Sequence, residues 1–232
     1  MTGTLGIIQA RLGSQRLPQK MLKELHGYTL MSWVWQRASA AKGLDDVMVA
    51  IPDLAMDDPL AAHLQEMGAK VFRGSGDDVL GRFYACASIE RPSHIVRICA
   101  DNPFLCPQSV DDLIQYYSRQ EHCDYAYNHI PRDNLYPDGL GAEMISMDLL
   151  TKMNEKASSE EQREHMMNYI WEHPGQYSIH TFDPPNPELR YPDIKLDIDT
   201  PDDFQRLSRL KNIGPSTSSA QIIREYRSQV LD

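Results

Sequence analysis

Four cysteines are all that this 232-residue chain could draw on for disulfide or thiolate chemistry, and no two form a Cys-x-x-Cys pair. Cys86 and Cys99 sit in apolar surroundings, and with Cys106 and Cys123 they read as reduced thiols in a cytoplasmic protein. Long hydrophobic runs are also missing. The apolar stretches are too short to cross a bilayer, and the N-terminus opens a strand and not a signal peptide, so no membrane partner is expected. An excess of positive charge is absent too: 23 Lys and Arg face 33 Asp and Glu, a formal net charge of −10. That excludes a protein that grips nucleic acid through a broad basic face. No repeat or low-complexity tract interrupts the chain. Nor is there a G-x-x-x-x-G-K-S/T run, which excludes a P-loop of the ATPase type.

What is present is a local reversal of that acidity. Gln9-Ala10-Arg11-Leu12-Gly13-Ser14-Gln15-Arg16-Leu17-Pro18-Gln19-Lys20 follows the apolar run Leu5–Ile8, which reads as a buried strand. A small residue at Gly13 lets backbone N–H groups turn toward an anion. Arginine grips phosphate bidentately, and lysine adds a mobile point charge. Cations gathered in one loop of an acidic protein point to a small anionic ligand such as an oligophosphate. The plain alternative is a solvated basic loop.

The rest of the chain alternates strands and helices. Strands are expected at 6–10, 47–51, 70–72 and 95–99, with helices at 29–41, 59–67 and 79–88. Such alternation implies a largely parallel sheet with helices on both faces and ligands beyond the strand carboxyl ends. The length suits one large α/β domain with a substantial core. In Val71-Phe72-Arg73-Gly74-Ser75-Gly76-Asp77-Asp78, the strand end places Arg73 toward a ligand, and Asp77 or Asp78 caps the next helix. Asp53 also ends a strand, where it closes a turn. The apolar strand Ile95–Cys99 delivers one carboxylate, Asp101, at its end. Far downstream, Asp197 and Asp199 take alternate positions of an expected strand and so share a face. An edge strand with acids toward water, followed by a capping turn, is the alternative there.

Taken together, these motifs resemble the CMP-sugar synthetases, cytidylyltransferases that activate 3-deoxy-octulosonic and sialic-type acids, and among them the spore-coat-polysaccharide branch. The resemblance runs from Ile7 to about Phe204. It implies a Rossmann-like nucleotidyltransferase fold, a glycosyltransferase-A-like three-layer sandwich of class α/β with a mostly parallel sheet. It also implies that Arg11, Arg16 and Lys20 hold the triphosphate of CTP, with Ala10, Gly13 and Ser14 beside it, and that Arg73 reaches the nucleotide. Asp101 and Asp199 are implied Mg²⁺ ligands, with Asp197 a third, and Arg11, Lys20, Asp101 and Asp199 carry the catalysis. A carboxylate beside a triphosphate needs a divalent cation between them, which agrees.

Tyr136-Pro137-Asp138-Gly139-Leu140-Gly141-Ala142-Glu143 resembles the family's acceptor-side stretch, and the segment around Glu161–Ile170 its R-E-H helix. Tyr136, Asp138, Glu143, Arg163 and His165 are therefore implied acceptor contacts. The resemblance further implies a single domain over 1–232, with 125–195 as acceptor side and dimerisation subregion of a homodimer. The expected reaction is transfer of CMP from CTP to a small acidic sugar, for surface polysaccharide. A glycosyltransferase-like enzyme using a nucleotide-sugar and a non-catalytic CTP-binding module are the competing readings.

Overall fold

The computed structural model describes residues 3–231. Strand β1 (Thr4–Gln9) is followed by a hairpin of β2 (Glu24–Leu25) and β3 (Tyr28–Thr29). Thr29 then caps α1 (Leu30–Ser39) by accepting the Ser32 N–H at 3.0 Å. The alternation continues with β4 (Asp46–Pro52), α2 (Asp58–Glu66), β5 (Lys70–Gly74), α3 (Val79–Glu90) and β6 (His94–Cys99). Next come α4 (Pro107–Arg119), β7 (Tyr125–Tyr127), β8 (Glu143–Ser146), α5 (Met147–Lys156), α6 (Glu160–Glu164) and α7 (Asn168–Trp171). The chain closes with β9 (Ile179–His180), α8 (Pro201–Leu207) and α9 (Ser219–Tyr226).

Seven strands form one sheet in the order β5-β4-β1-β6-β8-β7-β9. The pairs β5–β4, β4–β1, β1–β6 and β7–β9 are parallel, whereas β8 runs antiparallel to β6 and β7. The sheet is mostly parallel, as the alternation implies.

The period-2 pattern of each strand divides the core between two faces. Ile8, Val49, Ile51, Val96 and Ile98 pack with Val34, Leu60 and Leu113 of α1, α2 and α4. Leu5, Ile7, Met48, Ala50 and Ile95 pack on the other face with Leu80, Phe83 and Leu150 of α3 and α5. A third cluster joins Trp33, Phe104, Leu196, Ile198, Ile222 and Ile223, so the C-terminal helix is built into the protein. There the buried Arg37 guanidinium donates to the carbonyls of Leu105, Pro215 and Thr217 and to Ser219 Oγ. Among the described residues, no helix is long and apolar enough to cross a membrane.

Two expected elements differ. The R-E-H segment is not one helix: α6 ends at Glu164, and His165 (φ −109°, ψ 78°) breaks it before α7. The break lets adjacent Met166 and Met167 both bury while α6 stays outside the core. The segment 196–199 forms no strand. It is extended and held by one bridge, Lys195 to Asp138, because the chain beyond Asp138 turns away through Gly139 at φ 84°.

Candidate active site

The loop after β1 is anchored by its apolar residues. Leu12 and Leu17 are buried, each contributing about 1.5–3 kcal/mol of burial. The Leu12 N–H donates to Oδ1 of the buried Asp57 at 2.7 Å, and the Ser14 N–H to the Leu12 carbonyl at 2.8 Å. Gln19 adopts the left-handed conformation (φ 53°) and turns the chain so that Lys20 points inward. Arg11 and Arg16 keep exposed heads, 52% and 65% accessible. A Cβ at Gly13 would meet only Met56, at an ordinary 3.5 Å, so packing does not require a glycine there.

The carboxylates come from two segments tied together, one after the end of β6 and one extended without being a strand. The Ile198 N–H donates to the Asp101 carbonyl at 2.8 Å, and the Leu196 N–H to the Asp138 carbonyl at 2.9 Å. Gly139 permits this approach, because a Cβ there would lie 2.7 Å from the Asp197 nitrogen. Thr200 caps α8 in a capping box with Asp203, whose carboxylate also accepts the Asp199 N–H at 3.1 Å. Burial raises the Asp203 carboxyl, but Arg206, Thr200 and these N–H groups hold it far below the usual range.

At the junction, Lys20 Nζ donates to the Ile198 carbonyl at 2.7 Å and lies 3.4 Å from Asp199 and 3.9 Å from Asp101. Arg16 pairs with Asp199 at 3.0 Å. Asp101 and Asp199, about a hundred residues apart in sequence, therefore flank one cation. Asp197 lies behind them: Oδ2 is 3.3 Å from Lys195, while Oδ1 is buried without a hydrogen-bond partner. Burial, then Asp138 and Asp101, push its carboxyl up to about 6. Asp138 is raised as well, by burial first. Among the described residues, no three His, Cys, Asp or Glu side chains are arranged to hold a metal by themselves.

These groups line a cavity of about 690 Å³ that takes in Ala10, Arg11, Gly13, Ser14, Arg16, Lys20, Asp101 and Asp199. His165 and Glu164 form its upper wall, and Arg11 lies 3.8 Å from Glu164. Other expected contacts sit elsewhere. Arg73 is within β5, opposite Ile51, and its guanidinium faces Asp58 at 2.7 Å, the Leu54 carbonyl at 3.0 Å and Asp53. It does not line the cavity. Arg163 clamps Asp78, the residue that caps α3, and the Asn154 carbonyl at 2.9 Å; both Arg163 and Asp78 line a neighbouring hollow of about 520 Å³.

Tyr136, expected beside the acceptor, is instead a fully buried core residue whose ring packs edge-on against Phe182. Glu143 is buried too and reaches the cavity only through another side chain, Arg97. Gly141 is enclosed by the Asn128 backbone and side chain, so no larger residue fits there.

Two site residues escape the motif reading. Arg97 lines the cavity floor, and a lone charge inside the apolar run Ile95-Val96-Arg97-Ile98 is the signal for it. Asp57 supports the loop from the turn before α2, where its sequence context suggests only a helix start.

Residues 5–226 match the family model for cytidylyltransferases, and the chain belongs to that family. The spore coat polysaccharide biosynthesis protein SpsF of Bacillus subtilis (strain 168) is 35% identical over 231 residues, covering 96% of this chain and 93% of the relative. A cytidylyltransferase structure from Leptospira borgpetersenii serovar Hardjo-bovis (strain JB197) superposes with a TM-score of 0.88 at 24% identity, covering 99% of this chain and 97% of that one. The structure of CMP:2-keto-3-deoxy-manno-octonic acid synthetase complexed with CTP gives a TM-score of 0.67 at 20% identity, covering 89% and 97%. Both structures share the fold.

Proposed function

We propose that this cytidylyltransferase transfers CMP from CTP to a sugar acid of the ulosonic type, releasing pyrophosphate, in the making of a surface polysaccharide. The observation that carries the reading is the junction at Lys20, where loop cations and the Asp101 and Asp199 carboxylates alternate around one wall of the cavity. The name of the Bacillus relative supports the polysaccharide role, and the CTP-bound synthetase supports the nucleotide and acceptor class.

Arg11 and Arg16 are free enough to close on a triphosphate, and Lys20 is already fixed at its base. Together they would stabilise charge that builds on the leaving pyrophosphate, the largest contribution expected in phosphoryl chemistry of this kind. Gly13, unneeded by packing, leaves the backbone open to a phosphate.

The donor set fits a hard divalent cation. Mg²⁺ is commonly held by one or two carboxylates plus substrate phosphates, which agrees with two converging aspartates. Asp101 and Asp199 would hold it, and the unpartnered Asp197 oxygen would support them. Bound there, Mg²⁺ would neutralise phosphate charge and polarise the α-phosphate. The segment 125–195, which carries His165, forms the acceptor side and the surface for a second copy.

Calorimetric titration with CTP, UTP, ATP and GTP, with Mg²⁺ and then with EDTA, tests the reading. CTP alone should bind, more weakly in EDTA, and pyrophosphate should appear when a sugar acid is added. Binding of no triphosphate by the folded protein would exclude cytidylyl transfer.

A further inference from the structure

We propose that Arg97 reads the carboxylate of the acceptor and that Glu143 is the positioning residue that aims it; the inference rests on the cytidylyl-transfer reading above. Arg97 interrupts the apolar pattern of β6 on the face of the sheet that carries Ile95. Its side chain is 21% exposed, and it lines the cavity floor beside Gln9, Cys99 and Asp101. Directly opposite in the ladder, the buried Glu143 of β8 accepts from Arg97 Nη1 through Oε1. The Tyr125 hydroxyl donates to Oε2, and His129 Nε2 lies 3.5 Å from Oε1. Gln9 Oε1 takes Arg97 Nε at 3.4 Å.

Burial pushes the Glu143 carboxyl up, but His129, Arg97 and the Tyr125 hydroxyl outweigh it and keep it below the usual range. Burial also lowers the His129 imidazole, against the Glu143 carboxylate that raises it.

This arginine differs from the loop cations in ways that fit a monoanion. It rises from a central strand, so its position is fixed before any ligand arrives. Its charge is balanced by Glu143, so it adds little to the field that attracts a polyphosphate. With Nε on Gln9 and Nη1 on Glu143, Nη2 is the nitrogen left to meet a carboxylate, beside the positive charge that the guanidinium always carries. A buried ion pair is also a poor way to stabilise a core, because apolar residues of like volume often serve as well or better. Packing therefore does not explain the pair, whereas a carboxylate on the acceptor does. Glu143, expected to touch the acceptor, would act through Arg97.

The test compares 2-keto sugar acids of six to nine carbons, 2-keto-3-deoxy-manno-octonate among them, with their carboxamides, in the full chain with CTP and Mg²⁺. The wild type should favour acid over amide by at least about 100-fold, since the amide lacks the charge and turns an N–H donor toward the guanidinium donors. Arg97→Gln alone strands the buried Glu143 charge, so the decisive variant is Arg97→Gln with Glu143→Gln, which removes both charges and keeps the volume. It should bring the acid-to-amide ratio near one through acceptor KM, with KM for CTP unchanged. Glu143→Gln alone should raise acceptor KM with kcat preserved, and Arg97→Lys should recover part of the preference.

A ratio that survives in the double variant would overturn the assignment. So would a wild type that binds CTP but transfers CMP only to neutral or phosphorylated sugars. Failure to bind CTP at all would sink the underlying reading instead, and calorimetry separates that case.

Discussion

Arginine is used in two ways in this protein, and the contrast separates framework from site. Arg37 is buried and donates to three carbonyls and a hydroxyl, and Arg163 clamps both oxygens of Asp78. Arg11 and Arg16 instead hold single carboxylates at 3.8 and 3.0 Å with more than half of each side chain exposed. The first pair has its donors consumed by the protein. The second has donors to spare, and exposed pairs of that kind add little stability, about 0–1 kcal/mol. Those spare donors are what the proposed triphosphate site would use. Lys20, buried, and Arg97, half-buried, lie between these extremes, and both line the cavity.

The contrast breaks most sharply at the carboxylates. Asp101→Asn or Asp199→Asn is expected to lower turnover by at least about 100-fold, the scale of losing a main charge-stabilising group. The melting temperature should stay close to that of the parent, and wild-type-like turnover in either variant would remove that residue from the mechanism.

Next in size is the framework side. Arg37→Met strands several buried carbonyls, at about 1–3 kcal/mol for each group left unsatisfied. Denaturant unfolding should show a loss of about 3 kcal/mol, while CTP affinity is unchanged.

Asp197 sharpens the comparison from the other direction, because its carboxyl is pushed up to about 6 against an unfolded value of about 3.9. The ionised form is therefore disfavoured in the fold. Above about pH 6 it is ionised in both states and the cost is fully present; the cost fades as the pH falls toward 4. Asp197→Asn should thus raise stability by about 1–3 kcal/mol at pH 8 and leave it unchanged near pH 4. A pH-independent difference between the two melting curves would refute this.

The smallest effect is expected at Arg73, whose guanidinium is engaged by Asp58, Asp53 and the Leu54 carbonyl outside the cavity. Arg73→Gln should change CTP affinity by less than about 3-fold, under the 1.4 kcal/mol that corresponds to tenfold. A larger loss in the same calorimetric titration would return Arg73 to the nucleotide site.

Much of the fold was legible because its signals are local. Alternating apolar runs located β1, β4, β5 and β6 to within two residues at either end, and an aspartate before Val79 marked the cap of α3. The break at His165 was not legible, since the sequence there has no proline or glycine. After the break Met166 and Met167 are both buried, whereas α6 buries no residue. Of the candidate site, the loop at 10–20 follows β1 and Asp101 follows β6, where topology leaves few alternatives, whereas Asp199 comes from a segment that forms no strand. Tyr136 and Glu143 were misplaced because a motif gives their order along the chain but not which side of the backbone faces the cavity.

By itself the sequence determined an α/β sheet, a loop rich in cations and the two aspartates that the proposed reaction would use. Each is written in short-range periodicity, charge and turn chemistry. Only the tertiary structure decided which charges meet. Lys20 reaches Asp101 and Asp199 because Ile198 is bonded to the Asp101 backbone, and Arg97 faces Glu143 because β6 and β8 pair in one register. Those contacts join residues far apart in the chain, and their partners are fixed by packing and strand register, which no local pattern encodes.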